Sequence, residues 1–148
     1  MLFLILVLSA FPVSEVSVSS ITYTLVDSFY DKEFTNRAID YFSKNYSLKI
    51  TEDENKISLI YQIKKNGVSR TELLIILLYL SKNPNDINML TRKIEKGKDI
   101  FEILKEKKYD LNPLYIQSNK IKKEIEKELD DFKILKPVIE KEFLNEKK

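Results

Sequence analysis

One apolar run constrains the fold of this chain more than any other feature. Residues 73–80 read LLIILLYL, and a helix that is apolar on every side must be buried on every side. Ser69 and Glu72 precede the run with the spacing of a capping box, and Asn83-Pro84 follows it as a turn. The run is too short to cross a membrane, since about 20 apolar residues are needed. We therefore predict a buried central helix over Arg70–Lys82.

The two glycines of the chain, Gly67 and Gly97, stand 30 residues apart in similar surroundings. Apolar residues precede each at helical spacing, and a Glu with two apolar residues begins five residues after each. A glycine just past a helix can adopt the positive φ that ends it. The sequence thus predicts two helix–Gly–helix units, the first opened by a capping box at Thr51. They could be a duplicated α-hairpin or a chance recurrence, since two copies do not establish a repeat.

Helical patterns also lie before and after these two units. Apolar residues recur at helical spacing from 31 to 46. Asn112 is expected to cap a long, highly charged helix over Pro113–Leu135, and a last short helix is expected over 138–144. The fold class that we predict is all-α, a compact multi-helix domain over residues 31–148 with five to seven helices.

The N-terminus indicates where such a domain would work. Leu2–Leu8 has no polar side chain, and no charge appears before Glu15, as is typical of a secretory signal peptide. The basic residues expected before such a run are missing, and a buried strand of a cytosolic domain is the alternative. We predict a signal peptide or apolar leader over 1–19, then an extended or flexible segment over 20–30. The protein would be secreted or periplasmic, or membrane-anchored if the leader is not cleaved.

Composition excludes several kinds of chemistry. The chain has neither Cys nor His, which excludes disulfides, thiolate catalysis and catalysis by an imidazole. The net charge of +2 is too small to indicate a polyanionic partner. Only three of its 25 basic residues are Arg, the residue that phosphate and base recognition favour, so nucleic acid is not expected. We predict no catalytic residue, no cofactor and no metal site.

Two stretches resemble a known kind of domain. Residues 61–73 read YQIKKNGVSRTEL, and residues 93–103 read KIEKGKDIFEI. Together they are similar to small helical domains of uncharacterised exported bacterial proteins, in which a Gly-turn-Glu-Leu step precedes a buried helix. The resemblance covers Tyr41–Ile116. It implies an exported all-α module, and it implies no activity, ligand or functional residue.

Three functions follow as hypotheses. The leading one is an exported, non-catalytic interaction or structural module, which would contact a protein partner or a second copy through the charged helix Pro113–Leu135. Membrane contact is expected only through the leader. A cytosolic helix-turn-helix regulator is the first alternative, with Lys96–Leu111 as its reading element, although Asp99 and Glu102 are the wrong chemistry for a DNA groove. The second is a carboxylate-based hydrolase, for which no pair of acids stands at a useful spacing.

An early cluster of tyrosines is the last candidate feature. These tyrosines could line a groove for a carbohydrate or a peptide, whereas aromatic residues of this kind more often lie in the core with their hydroxyls at the surface. They are Tyr23, Tyr30, Tyr41 and Tyr46.

Overall fold

The protein is described by a computed structural model, which covers residues 18–130, with side chains for residues 29–50 and 52–130. That part of the chain holds six α-helices and no strand, so the predicted all-α class is confirmed. Two single-turn 3-10 helices, Lys49–Glu52 and Pro84–Asp86, connect some of them. The α-helices are α1 Val18–Tyr46, α2 Glu54–Lys65, α3 Arg70–Lys82, α4 Ile87–Glu95, α5 Ile100–Glu106 and α6 Leu111–Asp130.

The described residues belong to two units. The first part of α1, residues 18–32, belongs to one unit, and Glu33–Asp130 forms the other. The features discussed below all lie within Glu33–Asp130. The leader predicted over 1–19, apart from its last two residues, and the short helix predicted over 138–144 lie outside the described residues.

The segment 20–30, predicted to be extended or flexible, is helical instead. α1 begins at Val18 and runs without interruption to Tyr46. No Pro or Gly stands in this range, so a helix nucleated by the strongly periodic residues 31–46 can propagate toward the N-terminus. The weak alternation of apolar residues that favoured an extended segment is too short to decide between the two periods.

The central helix has the bounds that the sequence predicts. α3 spans Arg70–Lys82, and all eight residues from 73 to 80 are buried. Its capping box is complete: the Ser69 hydroxyl accepts a hydrogen bond from the Glu72 backbone N–H at 3.2 Å, and the Glu72 carboxylate accepts one from the Ser69 N–H at 2.6 Å. α6 packs along α3 through one buried face, formed by Leu114, Ser118, Ile121, Ile125 and Leu129.

The two helix–Gly–helix units recur in the structure with the same register. α2 ends at Lys65 and α4 at Glu95, and the helices that follow also begin 30 residues apart. Gly67 has φ +88° and Gly97 has φ +83°, and a Cβ at either position would meet nothing within 4 Å. Glycine is therefore favoured here by the backbone angle rather than by lack of space.

Two helix starts differ from the predictions. Thr51 lies in a 3-10 helix, and α2 is capped by Asp53, whose Oδ1 accepts a hydrogen bond from the Asn55 N–H at 3.0 Å. α6 begins at Leu111, before the predicted cap Asn112. Asp110 caps its first turn, because Asp110 Oδ1 accepts a hydrogen bond from the Asn112 N–H at 3.1 Å. In both cases a nearby aspartate, an equally good cap, takes the role assigned to another residue. Among the described helices, none has the length and apolar character needed to span a bilayer.

Candidate functional site

A groove with a volume of about 600 Å³ lies between the end of α1 and the first half of α6. α1 contributes Tyr41 and Tyr46, and the α6 side includes Pro113, Ile116 and Gln117. α1 stops at this point because Ser47 adopts a positive φ of 51°, after which the chain turns inward and buries Leu48 and Ile50. The end of a helix therefore forms one wall of the groove.

The aromatic wall of the groove is held by the core. Phe42 is fully buried, and the ring of Tyr46 stacks on it with centroids 4.8 Å apart and planes inclined by 26°. Tyr41 lies beside them, with its ring centroid 6.3 Å from that of Tyr46. A wall whose rings rest on a buried residue is already ordered before any ligand arrives, which lowers the entropy cost of binding.

Two hydrogen bonds connect this wall to α6. The Tyr41 hydroxyl donates to Glu124 Oε2 at 2.8 Å, and the Gln117 side-chain amide donates to the Tyr46 hydroxyl oxygen at 2.6 Å. Burial raises the pKa of Tyr41 to about 12, and the hydrogen bond and negative charge of Glu124 add to this effect. The Tyr41 hydroxyl is thus protonated at physiological pH and can act as the donor in its bond to Glu124.

The α6 side of the groove exposes an apolar side chain. Ile116 is 70 % exposed, the highest value among the large apolar residues that the structure describes. Tyr115, its neighbour in the chain, is 51 % exposed and does not line the groove. A single exposed isoleucine is ordinary on a protein surface, but one at the rim of a concave aromatic surface adds to a continuous apolar contact area.

The structure brings together part of what the sequence singled out. Tyr41 and Tyr46 share the groove, whereas Tyr30 lies in the other unit and the Tyr23 side chain lies outside those described. The predicted contact helix, Pro113–Leu135, corresponds to α6 up to Asp130 and supplies the opposite wall. The sequence did not indicate that these tyrosines face α6, because the paired residues are 71 and 83 positions apart.

Comparison with known proteins adds nothing to this geometry. No family model, no curated protein and no solved structure matches the chain. The resemblance to exported helical domains over Tyr41–Ile116 stays a prediction, and the function has to be inferred from the residues themselves.

A second polar cluster joins α3 to the turn after α5. The Tyr79 ring is buried, and its hydroxyl donates to the Asp86 carboxylate, which also accepts a hydrogen bond from Lys107 Nζ at 2.5 Å. The Lys107 bond, followed by that of Tyr79, holds the pKa of Asp86 below its ordinary value. Asn83 donates to the Tyr109 hydroxyl oxygen at 2.7 Å, and the Tyr109 ring meets that of Tyr79 edge to face. These groups satisfy one another, so the cluster fits a structural role.

The segment Lys96–Leu111, which would contact DNA in the regulator hypothesis, contains the short helix α5. α5 has seven residues, and Ile100, Ile103 and Leu104 on its inner face are buried. Asp99 precedes the helix and caps it by accepting a hydrogen bond from the Phe101 N–H at 2.7 Å, and Glu102 lies in the first turn. A helix that reads base edges presents Arg, Asn or Gln there, and carboxylates repel the phosphate backbone.

The carboxylates of the described residues form no metal site. Within residues 29–50 and 52–130, no group of three or more acidic side chains is arranged to hold a metal ion. The groove between α1 and α6 is a concave surface of Glu33–Asp130 that combines aromatic and exposed aliphatic side chains.

Proposed function

We propose that this protein is an exported, non-catalytic helical module that binds a segment of a partner protein in the groove between α1 and α6. The observation that carries the proposal is the juxtaposition of Tyr46, stacked on the buried Phe42, with the exposed Ile116 across the groove. A rigid aromatic wall opposite an exposed aliphatic side chain suits one inserted apolar side chain of a partner.

The size and chemistry of the groove support a peptide segment over a sugar. A volume of about 600 Å³ falls within the range of ordinary ligand sites. Asp110, Asn112 and Lys120 also line the groove, but most of its exposed lining surface is apolar, and the Tyr41 hydroxyl and the Gln117 amide already bond Glu124 and Tyr46. The surface left for a ligand is largely apolar, which favours an aliphatic or aromatic side chain.

Export is supported by the apolar leader over 1–19, a property of the sequence alone. Isolating the protein from its native source and sequencing its N-terminus tests this part. We expect the mature chain to lack Leu2–Leu8 and to be found outside the cytoplasm. A soluble cytosolic protein that begins at Met1 would contradict export and return attention to the regulator hypothesis.

The binding part is tested by selecting displayed peptides on the purified protein. The Ile116→Lys substitution places a charge at the rim of the groove. We expect it to weaken the binding of the selected peptides by about tenfold or more. Tyr115→Lys is the matched control, because it makes the same change at the neighbouring exposed residue of α6 outside the groove. Circular dichroism confirms that both variants are folded. Failure to enrich any peptide, or enrichment of peptides that bind Ile116→Lys equally well, would contradict the proposal.

A further inference from the structure

Asn66 and Gly67 form the turn that connects α2 to α3. Every other asparagine of the sequence is followed by proline or by a residue with a larger side chain. A backbone nitrogen can attack the side-chain amide carbon of a preceding asparagine, and a glycine nitrogen does so most readily because glycine has no Cβ to hinder the approach. A proline nitrogen carries no hydrogen and cannot react in this way. This chemistry is therefore concentrated at the turn after α2.

Both reacting residues are open to solvent. Asn66 and Gly67 are exposed, and they border a pocket of about 190 Å³ whose other side includes Gly97 and Lys98. A Cβ built on Gly67 would meet nothing within 4 Å. Water can therefore reach the turn, and no neighbouring side chain prevents the side chain of Asn66 from closing a ring with the next backbone nitrogen.

The hydrogen bonds at the end of α2 engage both reacting groups. The Gly67 N–H donates to the Lys64 carbonyl at 3.2 Å, and the Asn66 side-chain amide donates to the Gln62 carbonyl at 2.9 Å. Attack requires that the Gly67 nitrogen lose its proton and that the Asn66 side chain turn toward it. Both bonds oppose these changes, so the last turn of α2 has to open before the reaction can occur.

We propose that Asn66–Gly67 is a site of spontaneous covalent modification, at a rate controlled by local opening of the last turn of α2. Solvent hydroxide removes the proton of the Gly67 nitrogen, which forms a bond to Asn66 Cγ. The bond from Cγ to the side-chain nitrogen breaks, and ammonia leaves as hydroxide is regenerated. Water then opens the succinimide ring at either carbonyl carbon, which yields aspartate, or isoaspartate with the backbone passing through Cβ and Cγ. In total, water is consumed and ammonia is released.

Either product changes the connection between α2 and α3. A carboxylate at position 66 lies at the C-terminal end of α2, where the helix dipole disfavours negative charge. Isoaspartate also lengthens the backbone just before Val68, which is buried, and Ser69, whose hydroxyl caps α3. We therefore expect the isoaspartate form to be less stable than the unmodified chain.

The second helix–Gly–helix unit supplies an internal comparison. Lys96 and Gly97 occupy the equivalent turn, and φ is −78° at both Asn66 and Lys96, with ψ of 16° and 5°. The Gly97 N–H also donates to a carbonyl of the preceding turn, at 2.9 Å. A lysine side chain has no amide carbon to be attacked, so the second turn has the same backbone without the reaction.

The test incubates the full chain in mildly alkaline buffer, both folded and denatured in guanidinium chloride. Tandem mass spectrometry measures the replacement of NH₂ by OH at position 66, and an isoaspartate-specific methyltransferase with labelled S-adenosylmethionine measures isoaspartate. We expect modification at position 66 in both samples, about tenfold faster or more in the denatured chain, because the two hydrogen bonds at the end of α2 are lost there.

Two matched substitutions separate the side chain from the turn. Asn66→Gln keeps the amide but requires a larger ring, so modification at position 66 should become undetectable over the same period. Lys96→Asn places an asparagine before Gly97, and we expect position 96 to become modified at a rate similar to that of position 66, because the backbone is the same. Circular dichroism confirms that both variants are folded.

Each contrary result overturns a stated part of the inference. No modification at position 66 in the denatured chain would overturn the site itself. A folded chain that reacts as fast as the denatured one would overturn control by local opening. An isoaspartate form, separated by ion-exchange chromatography, that unfolds at the same temperature as the unmodified chain would overturn the effect on α3. None of these results depends on what the groove between α1 and α6 binds, so the proposed function is tested separately.

Discussion

Tyr46 rests on Phe42, and the two rings stack at 4.8 Å, so the last turn of α1 is attached to the core at the place where the groove begins. The relationship is asymmetric, since Phe42 is fully buried and Tyr46 is only half-buried. Loss of either ring would alter the groove, but only one of them is part of the hydrophobic core.

This asymmetry predicts different stability costs for the two residues. Phe42→Ala leaves a cavity in the core and is expected to reduce the free energy of unfolding by about 3–5 kcal/mol. Tyr46→Ala removes an aromatic pair at the surface and loses less buried area than Phe42→Ala. We expect the lost ring pair to reduce the free energy of unfolding by about 0.5–1.5 kcal/mol, in addition to the effect of the lost buried area. Urea unfolding of both variants measures the difference. Equal costs would mean that the stacked ring of Tyr46 belongs to the core as well.

The two capped helix starts give a second prediction. Ser69 accepts from the Glu72 N–H, and Asp99 accepts from the Phe101 N–H, at equivalent places in the two helix–Gly–helix units. Ser69→Ala and Asp99→Ala should each reduce the free energy of unfolding by about 1 kcal/mol, because a backbone donor loses its partner. Ser58→Ala, at an exposed position within α2, is the control and should have little effect. A negligible cost at Ser69 would show that water replaces the cap without loss.

A third prediction concerns the positive φ of the glycines. Gly67→Ala meets no neighbouring atom, so its expected cost of about 1–2 kcal/mol comes from the backbone angle alone. Gly67→Asn is the informative comparison, because asparagine tolerates this region better and should cost less despite its larger side chain. The same ranking is expected at Gly97, measured by thermal unfolding. A larger loss for Asn than for Ala would point to crowding that the open space around Gly67 does not suggest.

The Asp86 cluster predicts how stability depends on pH. Hydrogen bonds from Lys107 and Tyr79 lower the pKa of Asp86 from its ordinary value of 3.8, so the folded chain binds fewer protons there than the unfolded chain. The resulting stabilisation is complete above the unfolded pKa and is lost as pH falls through the lowered folded pKa. In Asp86→Asn, the free energy of unfolding should therefore fall less steeply as the pH is lowered below about 4, which is the acid limb of its pH dependence.

A double-mutant cycle checks that Lys107 is the cause. Lys107→Met should remove much of the same pH dependence, and the two substitutions together should cost less than the sum of the single ones, because each breaks the same contact. Additive costs would show that Asp86 and Lys107 contribute independently, and an unchanged acid limb in Asp86→Asn would assign the pH dependence to other carboxylates.

The features that could be predicted from sequence are those set by local patterns. The bounds of α3 were predicted correctly, because an all-apolar run with a capping box before it leaves little choice. The positive φ of Gly67 and Gly97 was also predicted correctly, since it depends on spacing within one turn. The start of α1 was predicted wrongly, because its first part lacks a strong period.

The groove could not be predicted in the same way. Its main contacts join Tyr41 to Glu124 and Tyr46 to Gln117, and these pairs depend on how α1 and α6 pack together. The sequence predicted an aromatic cluster and a contact helix as separate features. What it lacked was any local signal that the two would form opposite walls of one site.

The two hydrogen bonds that join α1 to α6 have a wider consequence. They connect residues that are 71 and 83 positions apart in the chain, so the two walls of the groove meet only when these distant segments have folded against each other. A fragment of the chain that ends before α6 would keep the aromatic rings and lack the wall opposite them.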